Sequence, residues 1–205
     1  MSNITVDLVN KALASQLKVL GFKKSALRWN RARGLLTDVV TVQGAKWNSR
    51  EDIHFAINIG VFVPQFHELV WGHPAKRFIV DADCGNLRKR VDPNAMTDWW
   101  NVTPESDINE IIIKLSLRFS EIALPFFDCF ASIEDIYREL SNRGNWKRLE
   151  WLSRLHLAIA SALVGNKQLS CEILDCFRQL PNKGFVEKAE RVASSLNKSD
   201  WGRKR

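Results

Sequence analysis

Val9, Leu13, Leu17 and Leu20 are apolar at helical spacing, Asp7 sits near the start of the run, and Gly21 is placed to end it. The pattern predicts an amphipathic helix over about residues 5–20. After it the period changes to two. Phe22–Arg33, Leu36–Trp47 and Ile53–Val63 read as three antiparallel strands of a meander, separated by a turn at Gly34 and a polar break at 48–52. The third is the clearest: Ile53, Phe55, Ile57, Ile59, Val61 and Val63 are apolar, with His54, Asn58 and Gly60 between them. One of its faces must be core.

A less regular stretch passes through Pro64, Trp71 and Pro74, after which Phe78–Cys84 and Leu87–Val91 read as further strands. Thr103-Pro104 is a helix start, and Ile108, Ile111, Ile112, Leu115, Phe119 and Ile122 continue one apolar face until Pro125 interrupts it. Ser132 and Asp135 have the spacing of a helix cap. Longer helices follow over Trp146–Val164, Lys167–Leu180 and about 184–196, before a basic tail with Lys198, Arg203, Lys204 and Arg205 that reads as a mobile end. Strands followed by a run of helices imply an α+β fold: an N-terminal helix, an antiparallel meander of about 4–5 strands, and a helical C-terminal part. The expected division is an α+β domain over 1–142 with a helical extension over 143–205 packed on it.

At 205 residues the chain is long enough to bury a sizeable core, and 45% hydrophobic with 26% charged residues is an ordinary globular balance. No apolar run approaches the roughly 20 residues of a membrane span, and Met1–Asn10 lacks the pattern of a signal peptide. A soluble cytoplasmic protein with no membrane partner is expected. The cysteines at 84, 129, 171 and 176 form no CxxC pair and have no histidines at zinc-finger spacing, so they read as small buried hydrophobes. The formal charge of +7 favours an anionic partner, either nucleic acid or an acidic protein surface.

Hydrophobic pattern also fixes register. The apolar set of the second strand is mostly even-numbered (Leu36, Val40, Val42) and that of the third is odd-numbered, so burying both together makes paired positions sum to an odd number. Thr41, Gln43 and Trp47 then share the other face with His54, Ala56 and Asn58. The result is a polar patch with an aromatic margin, in which amides can donate and accept hydrogen bonds to a partner.

Other candidates are less coherent. Phe22–Arg33 carries Lys23, Lys24, Arg28, Arg31 and Arg33 without an acid, and with Trp29 among them it has the residue types that hold phosphates and stack a base. On a strand, Asp81 and Asp83 would share a face, and with Asp38 as a third acid they would suit a metal-dependent nuclease. No phosphate loop, dinucleotide fingerprint or metalloprotease helix is present, the four histidines are scattered, and His156 reads as structural. No catalytic residue, metal or cofactor is assigned. Trp47, Trp71, Trp99 and Trp100 fall near element ends, where large rings plug a core margin.

The strings LGFKKSALRWNR (Leu20–Arg31), VVTVQGAKW (Val39–Trp47) and FAINIGVFVP (Phe55–Pro64) resemble the DUF4304 family, a bacterial family of uncharacterised proteins. Looser similarity continues through LRKRVD (Leu87–Asp92), Trp99-Trp100 and LPFF (Leu124–Phe127), so the resemblance spans roughly residues 5–140. It implies a small α+β domain of bacterial type and carries no activity, cofactor or catalytic residue with it.

The leading expectation is therefore a non-enzymatic macromolecule-binding module of a bacterial cytoplasmic protein, of accessory or immunity type. A nucleic-acid-binding domain using the basic first strand comes second, and a metal-dependent hydrolase or nuclease with an unrecognised motif third.

Overall fold

The computed structural model describes residues 3–94 and 96–198. Among them the chain runs α1 (Asn3–Val19), β1 (Lys23–Ser25), β2 (Arg28–Arg33), β3 (Leu36–Gly44), β4 (Ile53–Phe62) and α2 (Pro64–Trp71). A 3-10 turn over Asp81–Cys84 follows, then β5 (Arg88–Val91), β6 (Trp100–Val102) and α3 (Ile108–Asp128). The remaining helices are α4 (Ile133–Asn142), α5 (Trp151–Leu163), α6 (Lys167–Arg178) and α7 (Lys183–Lys198). The fold is α+β, and no described helix is long and apolar enough to cross a membrane. The basic tail beyond Lys198 lies outside the described residues.

Two compact units emerge. One takes in the chain up to Phe62 together with Phe78–Cys84 and Arg88–Cys129; the other takes in Val63–Arg77, Gly85–Leu87 and the chain from Phe130. Helix α4, which the sequence groups with the sheet, belongs to the second unit.

The first unit holds an antiparallel sheet in the order β1-β2-β3-β4-β5, with β6 pairing β4 beside β5. Thr41 faces Asn58 and Gln43 faces Ala56 across β3 and β4, the register that the hydrophobic alternation predicts. One face carries Trp29, Val40, Ile57, Ile59 and Val61, all buried, and lies on the side of α1 and α3, whose Leu13, Leu17, Phe119 and Phe127 are buried as well. Asp38 also lies on this face, fully buried, and holds both Arg31 and Arg33 at 2.7 Å. The neighbouring aromatic rings and a carbonyl of α3 receive the two guanidiniums, Arg31 over Phe22 and Phe127, and Arg33 on the Phe127 oxygen at 2.9 Å.

Several expectations change. Phe22–Arg33 is a hairpin rather than one strand. Ser25 pairs with Arg28, leaving a two-residue turn in which Ala26 takes φ +53°. Tight hairpins need such a conformation, and Ala26 supplies it without the glycine or asparagine that would have marked it in the sequence. Phe78–Cys84 is not a strand. Asn30 donates to the Ile79 oxygen (3.1 Å) and accepts from the Ile79 nitrogen (2.7 Å), so one side-chain amide supplies the hydrogen bonds a neighbouring strand would have made. The segment is held to the sheet by a side chain and then coils into the 3-10 turn.

Helix α3 starts at Ile108, because the Asp107 carboxylate caps the amides of Asn109 and Glu110, while Thr103 and Ser106 form a turn before it. It continues through Pro125, where fixed φ suits a helix and one hydrogen bond is lost. Buried Ala123 and Phe127 hold the last turn in place. The irregular stretch after β4 is helix α2, with Pro64 in its first turn and Gly72 at φ +76° ending it.

In the second unit α5 is the central helix, with Leu155, Leu157, Ala158 and Ile159 buried and α2, α4, α6 and α7 packed around it. The expected Trp146–Val164 helix is broken into a 3-10 turn over Trp146–Arg148 and α5, and Ser132 with Asp135 forms a capping box for α4. Gly85 (φ +59°) brings its backbone against α5, where a Cβ would stand 2.7 Å from Ser153 Oγ and the Asn86 amide donates to that same oxygen. Of the cysteines, Cys84 alone is buried; Cys129 and Cys171 are exposed and Cys176 is intermediate, and all four are free thiols. The Cys129 and Cys171 thiols sit on solvent-facing positions at or within helices, so hydrophobic burial does not govern them.

Candidate functional site

The sheet face opposite α1 and α3 carries Arg28 and Asn30 of β2, Thr41 and Gln43 of β3, Asn58 of β4 and Arg88 and Arg90 of β5, because cross-strand neighbours project to the same side. Its middle is polar yet buried: Asn30, Thr41 and Asn58 are all shielded from solvent. Such groups are tolerated only when their hydrogen bonds are made. The Thr41 hydroxyl donates to Asp81, Asn58 Nδ2 donates to Gln43 Oε1 at 3.2 Å, and Arg90 Nε donates to Asn58 Oδ1 at 3.1 Å.

The chain of contacts then leaves the sheet. Arg90 reaches Asp98 at 3.4 Å and lays its guanidinium 5.1 Å from the Trp99 ring centre. Trp99 meets Trp47 edge to face at 5.3 Å, and Trp47 lies 6.3 Å from His54. His54 and Asn101 each hold Asp52 at 3.0 Å, and these two hydrogen bonds, the one from His54 first, keep the Asp52 carboxyl below its ordinary value. Asn48 fixes the His54 backbone from both sides, accepting from its nitrogen at 2.7 Å and donating to its oxygen at 2.9 Å. Trp47 is nevertheless 63% exposed, and Met96 close in sequence to Trp99 is almost wholly so.

Thr41, Gln43, His54 and Asn58 therefore share one side of one sheet, Gln43 and Asn58 in direct contact, with Trp47 beyond the end of β3 beside His54. Arg90, Asp98, Trp99 and Asn101 complete the arrangement, and sequence reasoning missed them. Arg90 stands opposite Asn58 only because β5 pairs with β4, a contact between residues 32 positions apart. The tryptophans are not uniformly plugs: Trp100 is buried, whereas Trp47 and Trp71 are exposed.

The basic set is not brought together on one face of the sheet, although Lys24 and Arg28 both line a recess at the hairpin turn. Trp29 is 1% exposed, so its ring offers no face to a base, and Arg31 is held by Asp38 on the core side. Lys23 and Arg28 project from the opposite side of the hairpin to Lys24 and Arg31. The three acids are likewise separated by the sheet, since Asp38 lies on the α1 and α3 side while Asp81 accepts from Thr41 on the other. Asp83 turns back to the Val80 amide at 3.2 Å. Among the described residues no three His, Cys, Asp or Glu side chains are placed so that they could hold a metal ion together.

The family model for a domain of unknown function, DUF4304, matches residues 13–129, more than half of the chain. The chain belongs to the DUF4304 family. The DUF4304 match ends at Cys129, the last residue of the sheet-bearing unit, and takes in every residue of the polar face from Arg28 to Asn101. No curated protein and no solved structure matches the chain.

Proposed function

We propose that this DUF4304 protein is a non-enzymatic recognition module that docks a protein with an acidic surface against the Trp47–Trp99–Arg90 corner of its sheet. We place it in the bacterial cytoplasm, as an accessory or immunity-type protein. The observation that carries the reading is Trp47, 63% exposed and resting edge-on against Trp99, which in turn stacks on Arg90. Tryptophan and arginine are the residues on which interface energy concentrates, and a large ring held in place by its neighbours loses little freedom on docking. The hydrogen-bonded row Gln43–Asn58–Arg90 gives that corner an ordered polar rim. A net charge of +7 favours an acidic partner and speeds its approach.

Extract of the source cells passed over the immobilised 205-residue chain supplies the partner, which is then purified and titrated. Trp47→Ala is expected to weaken that binding by at least about tenfold, with a melting temperature within about 2 °C of the parent, since an exposed ring contributes little to folding. Undiminished affinity in the variant would overturn the proposal.

A further inference from the structure

At the β1–β2 end of the sheet a recess of about 830 Å³ opens beside the row of amides, a volume in the range of small-molecule sites. We infer that it binds a small amphiphilic anion, a phosphate or carboxylate head on an aliphatic body. Its polar lining comes from Lys24, Arg28, Arg88, Thr41, Gln43 and Asp81. The charge is unbalanced toward cations, and the single acid already accepts the Thr41 hydroxyl.

Two of these cations have no acid of their own. Among the described residues Lys24 is held only by the neutral Asn10 amide at 2.6 Å and the Trp29 ring, and Arg28 makes no ion pair. Arg28 stands directly across from Thr41, two positions from Gln43 on the same face, so its planar fork and the Gln43 amide can offer several N–H donors to one anionic group.

The rest of the lining, including Val6, Leu27, Val42 and Val80, is aliphatic. No aromatic side chain lines the recess among the described residues, which removes the stacking surface a nucleobase would use. Cations and branched aliphatic walls in one recess therefore select an anion with a saturated chain over a nucleotide. The recess shares Gln43 with the polar rim of the tryptophan corner but contains neither tryptophan nor Arg90, so its failure would leave the docking proposal untouched.

The test is isothermal titration of the full chain with octyl phosphate and octanoate below their micelle concentrations, with octanol, and with inorganic phosphate. Saturable one-to-one binding of either anionic amphiphile is expected, at least about tenfold tighter than inorganic phosphate, with octanol giving no saturable signal; which head binds more tightly identifies the preferred source. Arg28→Gln combined with Lys24→Gln should weaken that binding at least about tenfold. Lys23→Gln, an exposed cation outside the recess, should leave it unchanged, as should Trp47→Ala. Equal binding of octanol, equal loss in Lys23→Gln, or no saturable binding of either amphiphile to the parent protein would overturn the inference.

Discussion

Replacing Asp38 with alanine is expected to destabilise the sheet-bearing unit by about 3 kcal/mol or more, the usual consequence of removing one partner from a buried ion pair. Asp38 is fully buried and accepts from both Arg31 and Arg33, whose side chains are only 18% and 27% exposed. Deleting the carboxylate leaves Arg31 over the Phe22 and Phe127 rings and Arg33 on the Phe127 carbonyl oxygen, both with no counter-charge. Some solvent access relieves them, which places the expected loss toward the lower end of the roughly 3–5 kcal/mol range for such pairs. Asp38→Asn keeps the shape and loses the charge, so it should lie close to alanine. Urea denaturation of the three proteins measures this; a loss below about 1 kcal/mol in both variants, the range of an exposed pair, would show that the cluster is not structural.

The second large effect is expected on acidification. His156 lies on α5 against Phe66, with its Nδ1 buried and unpartnered among the described residues, and burial, aided by the charge of His67, pushes its pKa down to about 3. The folded state therefore holds the ring neutral, while the unfolded chain takes up a proton near about pH 6.5. Stability from this group is fully present above about pH 6.5 and is lost as pH falls toward about 3, by roughly 1.4 kcal/mol per pH unit and about 2 kcal/mol by about pH 5.

Asp135 in its capping box and Asp52 are carboxylates held below their ordinary values, and they act in the same direction but only at lower pH, where they protonate in the unfolded chain. Hydrogen bonds from the Ala131 amide and from Ser132 hold Asp135 down, and those from His54 and Asn101 hold Asp52. The histidine step is thus separable. Urea midpoints measured between about pH 8 and 4.5 should decline below about pH 6.5 in the parent protein, and His156→Leu should flatten that decline. An identical slope in the variant would assign the acid sensitivity to other groups.

How far the sequence reveals the fold depends on the range of the contacts involved. The β3–β4 register follows from alternation alone, because one residue of slip would turn Ile57 and Ile59 outward, and Thr41 accordingly faces Asn58. The Ser132–Asp135 capping box is equally local and is where the spacing puts it. What escapes is set by distant partners. Phe78–Cys84 has the composition of a strand, but Asn30, 49 positions from Ile79, occupies its hydrogen bonds and holds it against the face of the sheet. Pro125 carries a strong helix-ending signal that the packing of Phe127 overrides.

The candidate site divides along the same line. Thr41, Gln43 and Asn58 are legible as a polar stripe on two adjacent strands. Arg90 and Trp99 are not, since nothing in the sequence tells which strand borders β4 on its far side. The basic run Phe22–Arg33 misleads for a related reason: alternation along its two strands divides it between two faces, the turn at Ala26 sets which cations share a face, and Asp38 on the neighbouring strand neutralises Arg31 and Arg33.

The most direct measurement for a docking module is the equilibrium affinity of the purified partner for two variants compared side by side. One removes the corner, Trp47→Ala with Arg90→Ala; the other removes the basic edge, Lys23→Ala with Lys24→Ala and Arg28→Ala. The expected result is a loss of about a hundredfold or more in the first, about 2.7 kcal/mol over two anchors, and a change of less than about tenfold in the second, confined to the association rate and erased by salt. The reverse order, with the corner variant binding like the parent and the basic-edge variant losing the partner, would contradict the account.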